Sequence, residues 1–192
     1  METIISDATR RNWDKLSVNI DNKLKSRANK QKSTKRIIPV EYLLDNDKIG
    51  LIKQIIEFHS ESRIQDIIYH VAKELLQNEN IHERQSVREI LLGFQAEHHV
   101  KRLQFKGCIP KFSCEEDFLG TLYQALLSEG EKNKRGSYYT PFEIVDDMLS
   151  GFDLGDSLNF LDPCCGSGAF LMRIQTSNPL NLYGIEDDSI AA

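Results

Sequence analysis

Apolar residues recur at three- and four-residue intervals through most of the first two thirds of the chain. Val40, Leu43, Leu44, Ile49, Ile52, Ile55 and Ile56 mark one amphipathic helix over Val40 to Phe58. Ile64, Ile67, Ile68, Val71, Leu75 and Leu76 mark a second. Val87, Ile90, Leu91 and Phe94 open a third between Ser86 and Phe94. Ser62 with Asp66, and Asn80 with Glu83, are placed to cap the second and third. Residues Thr3 to Asp21 carry a ragged helical pattern that includes Trp13. Gly107, Pro110 and Lys111 to Ser113 read as a loop. Glu115 to Leu127 reads as a further helix, with Phe118, Leu119, Leu122, Tyr123, Leu126 and Leu127 inward. Glu129 to Gly136 has no apolar pattern and reads as a polar connection. Thr140-Pro141 then starts a helix whose apolar positions, Phe142, Ile144, Val145, Met148 and Leu149, run to a stop at Gly151.

The period changes after Gly151. Leu158, Phe160 and Leu161 read as the end of a buried strand, and Ala169, Phe170, Leu171, Met172 and Ile174 start a helix. Between them lies Asp162-Pro163-Cys164-Cys165-Gly166-Ser167-Gly168, a glycine-rich strand-to-helix turn. Open α/β sheets bind ligands at this position, because glycine lets the backbone approach and the helix N–H groups face the ligand. Leu180, Leu182, Tyr183 and Ile185 suggest a second strand ending at Glu186, whose carboxylate could accept from both hydroxyls of a ribose. The dinucleotide fingerprint requires a small residue where this chain has Leu171. The phosphate-binding loop requires a Lys where it has Ala169-Phe170.

Asp162 to Leu171, followed by Tyr183-Gly184-Ile185-Glu186 and preceded by Arg135-Gly136-Ser137-Tyr138-Tyr139-Thr140-Pro141, resembles the S-adenosylmethionine site of an amino-group DNA methyltransferase. The Tyr-Thr-Pro run is similar to that of the adenine-specific enzymes of restriction-modification systems, and Phe118 to Leu127 is similar to the helix that leads into it. The resemblance covers roughly the last third of the chain. It implies an α/β fold: a mostly helical amino-terminal domain, residues 1–130, followed over residues 131–192 by the first β-α-β of a Rossmann-like methyltransferase sheet. It also implies roles for individual residues. Asp162 would bind the methionine ammonium group, the backbone around Gly166 and Gly168 would lie along the cofactor, and Glu186 would hold the ribose hydroxyls. Tyr138, Thr140 and Pro141 would close the methionine end, with Phe170 and Asp187 as neighbours. The reaction implied is methyl transfer to the exocyclic amino group of a flipped base.

That family's catalytic tetrapeptide, Asn or Asp followed by Pro-Pro and an aromatic, follows the second strand. No Pro-Pro pair occurs in this sequence. The 192 residues therefore read as the amino-terminal part of a longer or split enzyme, inactive alone, with an incomplete sheet that is stabilised by another copy or poorly ordered. DNA, a specificity subunit or the rest of the enzyme, and a second copy of the chain are the expected partners.

Charge modifies this picture only locally. The net charge of −5 gives no global signature of a nucleic-acid binder, but Lys23 to Arg36 carries seven basic residues and no acidic one. That strip reads either as a solvated face or as a contact to DNA phosphates. Cys108, Cys114, Cys164 and Cys165 lack zinc-knuckle spacing and read as reduced cytosolic thiols. The five histidines show no i, i+4 metal pair. No apolar run is long enough to span a bilayer, so a cytoplasmic location is expected. Two other function classes stay open: a methyltransferase acting on RNA or protein, and a non-catalytic module that binds DNA or a subunit.

Overall fold

A computed structural model describes residues 32–40, 43, 46–104, 109–113, 115–152, 159–174 and 181–191. The Thr3 to Asp21 pattern, Lys23 to Lys30, Leu44, Gly107, Cys108, Cys114, Leu158 and Leu180 lie outside the described residues. Among the described residues nine elements follow in order: α1 Asn46–Phe58, α2 Ile64–Asn78, α3 Gln85–His98, α4 Phe118–Leu126, α5 Glu129–Arg135, α6 Phe142–Leu149, β1 Phe160–Asp162, α7 Ala169–Arg173 and β2 Leu182–Gly184.

The helical part is built around α4. Eight of its nine residues are buried, as expected of a helix that is apolar on nearly every face. Ile52 and Ile55 of α1 and Ile67, Ile68, Val71 and Leu75 of α2 pack with Leu122, Tyr123, Ala125 and Leu126 in one core. Fully burying side chains such as Ile67 and Leu122 stabilises by about 1.5–3 kcal/mol each. The α3 helix buries no residue. It lies against α2 through Phe94, which stacks on Tyr69 at 6.1 Å between ring centroids.

Local chemistry at the helix ends departs from the sequence reading in several places. Arg63, not Ser62, occupies the α2 N-cap, with no side-chain cap. Asp66 is spent elsewhere: its carboxylate takes Arg63 Nε at 2.9 Å and Nη2 at 2.7 Å, and accepts from the Lys101 amide at 2.8 Å. Arg63 also donates to the His99 carbonyl at 2.7 Å, which joins the start of α2 to the end of α3. Asn80 adopts φ 56° and α3 begins only at Gln85, so Asn80 and Glu83 do not cap it. The α4 helix starts at Phe118 rather than Glu115, because Asp117 caps it by accepting from the Gly120 amide at 2.7 Å.

Glu129 to Arg135 is a helix, contrary to the expected connection. Ser128 and Glu131 form a reciprocal capping box, and Gly136 closes the other end at φ 68°. Two further N–H groups of its first turn donate to residues far upstream, Glu129 to the Lys35 carbonyl at 2.7 Å and Gly130 to the Ser33 carbonyl at 2.9 Å. Pro141 takes the cap position of α6, where Thr140 supplies no side-chain bond.

β1 and β2 pair in parallel, with Phe160 opposite Leu182, Leu161 opposite Tyr183 and Asp162 opposite Gly184. The α7 helix covers one face, where a Cβ on Gly184 would stand 2.9 Å from Leu171 Cδ1. On the other face Leu161, Tyr183 and Ile185 are each more than half exposed. Arg173 of α7 binds Asp146 of α6 through two 2.6 Å bonds and lies over the Phe142 ring. No helix among the described residues is long and apolar enough to cross a membrane.

Candidate functional site

The turn between β1 and α7 is shaped by its own backbone bonds. Asp162 Oδ1 accepts from the Cys164 amide at 3.1 Å, and Gly168 N–H donates to the Cys165 carbonyl at 2.8 Å. Gly166 and Gly168 sit at φ 54° and 89°, the left-handed region that glycine enters without penalty. The parallel ladder continues past β2, with the Ile185 amide donating to the Asp162 carbonyl and the Cys165 amide to the Ile185 carbonyl, both at 2.9 Å. These bonds bring Glu186 beside the turn. Its Oε2 accepts from the Gly166 amide at 2.8 Å, and its Oε1 from the Asp188 amide at 2.9 Å.

An open cleft of about 910 Å³ lies here, lined on one side by Lys134 to Tyr139 and on the other by Pro163, Cys164, Gly166 and the loop after β2. Of the residues singled out in the sequence, Tyr138, Gly166, Glu186 and Asp187 line it together. Asp162 precedes the lining Pro163 but is not itself part of the lining. Thr140, Pro141, Gly168 and Phe170 lie outside the lining. Tyr139 fits against the turn so closely that a Cβ on Gly166 would stand 3.0 Å from its ring. That ring stacks on Tyr123 at 6.5 Å, and burial, followed by the nearby Asp117 carboxylate, pushes the Tyr139 phenol well above its ordinary range.

Two polar links missing from the sequence reading hold the turn and the loop to the helices. The first joins Asp117 to the turn: Ser167 Oγ donates to Asp117 Oδ2 while Asp117 Oδ1 caps α4. Burial raises the Asp117 carboxyl above the usual carboxylate range, and the bonds from Ser167 and Gly120 only partly offset this. Gly120 has no room for a side chain, since a Cβ there would overlap both the Asp117 carboxylate and Ser167 Oγ. The second link is centred on Asp188, whose Oδ2 accepts from Tyr123 Oη and, at 2.5 Å, from Arg135 Nη1. Arg135 Nη1 also reaches Tyr123 Oη at 3.0 Å. Burial raises the Tyr123 phenol, and the Asp188 carboxylate raises it further. For Asp188, burial acts upward, but the bonds from Tyr123, the Ile190 amide and Arg135 outweigh it and leave the carboxyl below its ordinary value. The capping signal of an Asp just before an apolar helix was present at Asp117. Nothing local in the sequence pairs residues 123 and 188.

Among the described residues no group of His, Cys, Asp and Glu is arranged to hold a metal ion. Cys164 is exposed in the cleft and Cys165 is half-buried, both as free thiols.

Residues 114–191 match the family described as N-6 DNA Methylase. The chain is 42% identical over 76 residues to the type II methyltransferase M.VspI of a Vibrio species, across 38% of this chain and 19% of that protein. It is 34% identical over 84 residues to the methylase subunit of the type I restriction enzyme MjaVII of Methanocaldococcus jannaschii, across 40% of this chain and 15% of that one. The chain thus spans less than a fifth of the length of the curated relatives it matches. No solved structure matches it. The resemblance to an adenine-modifying DNA methyltransferase of a restriction-modification system, carried in the sequence by the glycine turn and the Tyr-Thr-Pro run, is borne out over residues 114–191.

Proposed function

We propose that this chain is the amino-terminal, cofactor-binding part of a site-specific DNA methyltransferase that uses S-adenosylmethionine to modify the exocyclic amino group of adenine. In this reading residues 131–192 begin a Rossmann-like methyltransferase domain, with β1, α7 and β2 as its first β-α-β, and residues 1–130 form a helical amino-terminal domain. The family match starts at residue 114 and so includes α4, which packs in the core with α1 and α2 and is tied to the turn and the loop after β2 through Asp117 and Tyr123.

The observation that carries the proposal is the carboxylate of Glu186 just past the end of a parallel strand, bonded to the amide of a two-glycine turn on one wall of an open cleft. Each Glu186 oxygen accepts one backbone N–H, and each retains a lone pair for a ribose diol. Asp162 would meet the methionine ammonium, and the Gly166 and Gly168 backbone would lie along the ligand. Tyr138, Thr140 and Pro141 would close the methionine end, with Phe170 and Asp187 nearby. When bound, the cofactor supplies an electrophilic methyl group on a sulfonium. The chain's own residues bind and orient it, with Tyr139 packed against Gly166 of the turn. The base-binding tetrapeptide is absent from the sequence, so the chain alone is expected to bind cofactor weakly and not to methylate DNA. DNA, a specificity subunit or the remaining part of the enzyme, and a second copy of the chain are the proposed partners, in the cytoplasm.

Calorimetric titration of the 192-residue chain with S-adenosylmethionine tests this directly. Saturable binding in the wild type that is lost in both Asp162→Ala and Glu186→Ala is the expected result. Binding that survives both substitutions would remove these residues from the site and refute the assignment.

A further inference from the structure

We propose that Asp188 is the positioning residue of the cleft: its side chain, clamped by Tyr123 and Arg135, sets the orientation in which its backbone N–H and the Gly166 amide hold the Glu186 carboxylate. The proposal rests on the cofactor reading for its functional meaning, but its geometry stands on its own. Asp188 follows Glu186 by two residues and donates its amide to Glu186 Oε1. Its carboxylate is tied at Oδ2 to Arg135, the last residue of α5, and to Tyr123 of the buried α4, and at Oδ1 to the Ile190 amide at 3.2 Å.

These bonds connect three parts of the protein that are distant in sequence. Arg135 directly precedes Gly136, the left-handed helix end from which the Ser137 to Tyr139 wall of the cleft departs. Glu186 forms the opposite wall with its loop. Tyr123 belongs to the rigid core and is almost fully buried. Asp188 therefore fixes the distance between the two walls relative to the core. A free loop after β2 would leave the Glu186 carboxylate to sample many rotamers, and a ligand would have to order it at the cost of affinity. A clamped loop presents it in one orientation. The ligand class this favours is an adenosine derivative, recognised through the adjacent hydroxyls of its ribose, rather than free methionine.

Two variants test the proposal in the full chain. Asp188→Asn keeps the shape and removes the charge that Arg135 meets, and Tyr123→Phe removes only the hydroxyl. Circular dichroism first checks that each retains its helices, and either folded variant suffices. Amide hydrogen exchange followed by NMR, without any ligand, then reads the Gly166 amide against the Gly168 amide, which bonds within the turn and does not touch Glu186. Expected is a loss of Gly166 protection of about tenfold or more, with Gly168 unchanged. Titration with S-adenosylhomocysteine should show a fall in affinity of similar size, with methionine alone unaffected. Gly166 protection unchanged in a folded variant would overturn the proposal. If the wild type binds no S-adenosylhomocysteine, the cofactor reading fails, and the exchange result still decides the positioning role.

Discussion

Two glycine-to-alanine substitutions, each in a helix, should change stability in opposite directions. Gly93 lies on the exposed side of α3 with nothing within 4 Å of a Cβ placed on it. Alanine there restricts the unfolded chain and favours the helix, so Gly93→Ala should stabilise by about 0.5–1 kcal/mol. Gly120 lies in the first turn of α4, where a Cβ would overlap the Asp117 carboxylate and Ser167 Oγ. To admit the methyl group, Asp117 must release the Gly120 amide and Ser167. Losing the cap costs about 1 kcal/mol. Disrupting a buried bond to a charged group costs about 1.5–3 kcal/mol, and overpacking about 1–3 kcal/mol. These contributions overlap, so the net expectation is about 3–5 kcal/mol of destabilisation. Urea unfolding followed by far-ultraviolet circular dichroism measures both variants, and the gap between them should reach about 2 M in midpoint. A Gly120→Ala midpoint equal to that of the wild type would refute the tight three-way contact of Asp117, Gly120 and Ser167.

Further outcomes follow from other contacts. Burial raises the Asp66 carboxyl, but its bonds from Arg63 and the Lys101 amide outweigh this and hold it below its ordinary value. A depressed folded value means that its contribution is in place above the unfolded value of about 3.9 and is lost as pH falls through the folded one. Asp66→Asn should therefore flatten the rise of stability with pH in that acid window, and an unchanged slope in urea melts across it would contradict the assignment. Leu122→Ala, at a position fully buried in the core, should cost about 2–5 kcal/mol by urea melt, and a cost below 1 kcal/mol would place the core elsewhere. A Cβ on Gly184 would stand 2.8 Å from Cys165 Sγ and 2.9 Å from Leu171 Cδ1. Gly184→Ala should consequently destabilise by about 1–3 kcal/mol and weaken cofactor binding, because the turn itself has to shift.

The sequence was readable wherever one periodic face decided the element. The α2 helix carries six apolar positions at helical spacing and formed within two residues of its expected end. The turn of residues 163–168 was legible because glycines bounded by two different periods leave few alternatives. The α5 helix was missed because Glu129–Arg135 contains no apolar residue at all. Its helicity comes from the ends: the Ser128 and Glu131 box, and Gly136. The expected caps at Ser62 and Asn80 failed for a related reason. A capping residue is defined by the backbone angle at its own position, and at Asn80 that angle is already left-handed. Within the candidate site, the placement of Glu186 beside Gly166 follows from parallel pairing and was expected in outline. The Asp188, Tyr123 and Arg135 cluster spans 65 residues and depends on how α4 docks, which no local pattern encodes.

The pairing of Ser33 and Lys35 with the first turn of α5 bears on the order in which the molecule assembles. The acceptors for two N–H groups of that helix come from residues more than ninety positions earlier. Closing so long a loop carries an entropic cost that is met only after the intervening core has shortened the effective path. Docking of α1 and α2 on α4 should thus precede completion of α5 and of the cleft wall that follows Gly136. A chain lacking its first thirty-six residues would keep its core, yet the wall bearing Tyr138 would hang from a helix whose opening turn has lost two of its acceptors.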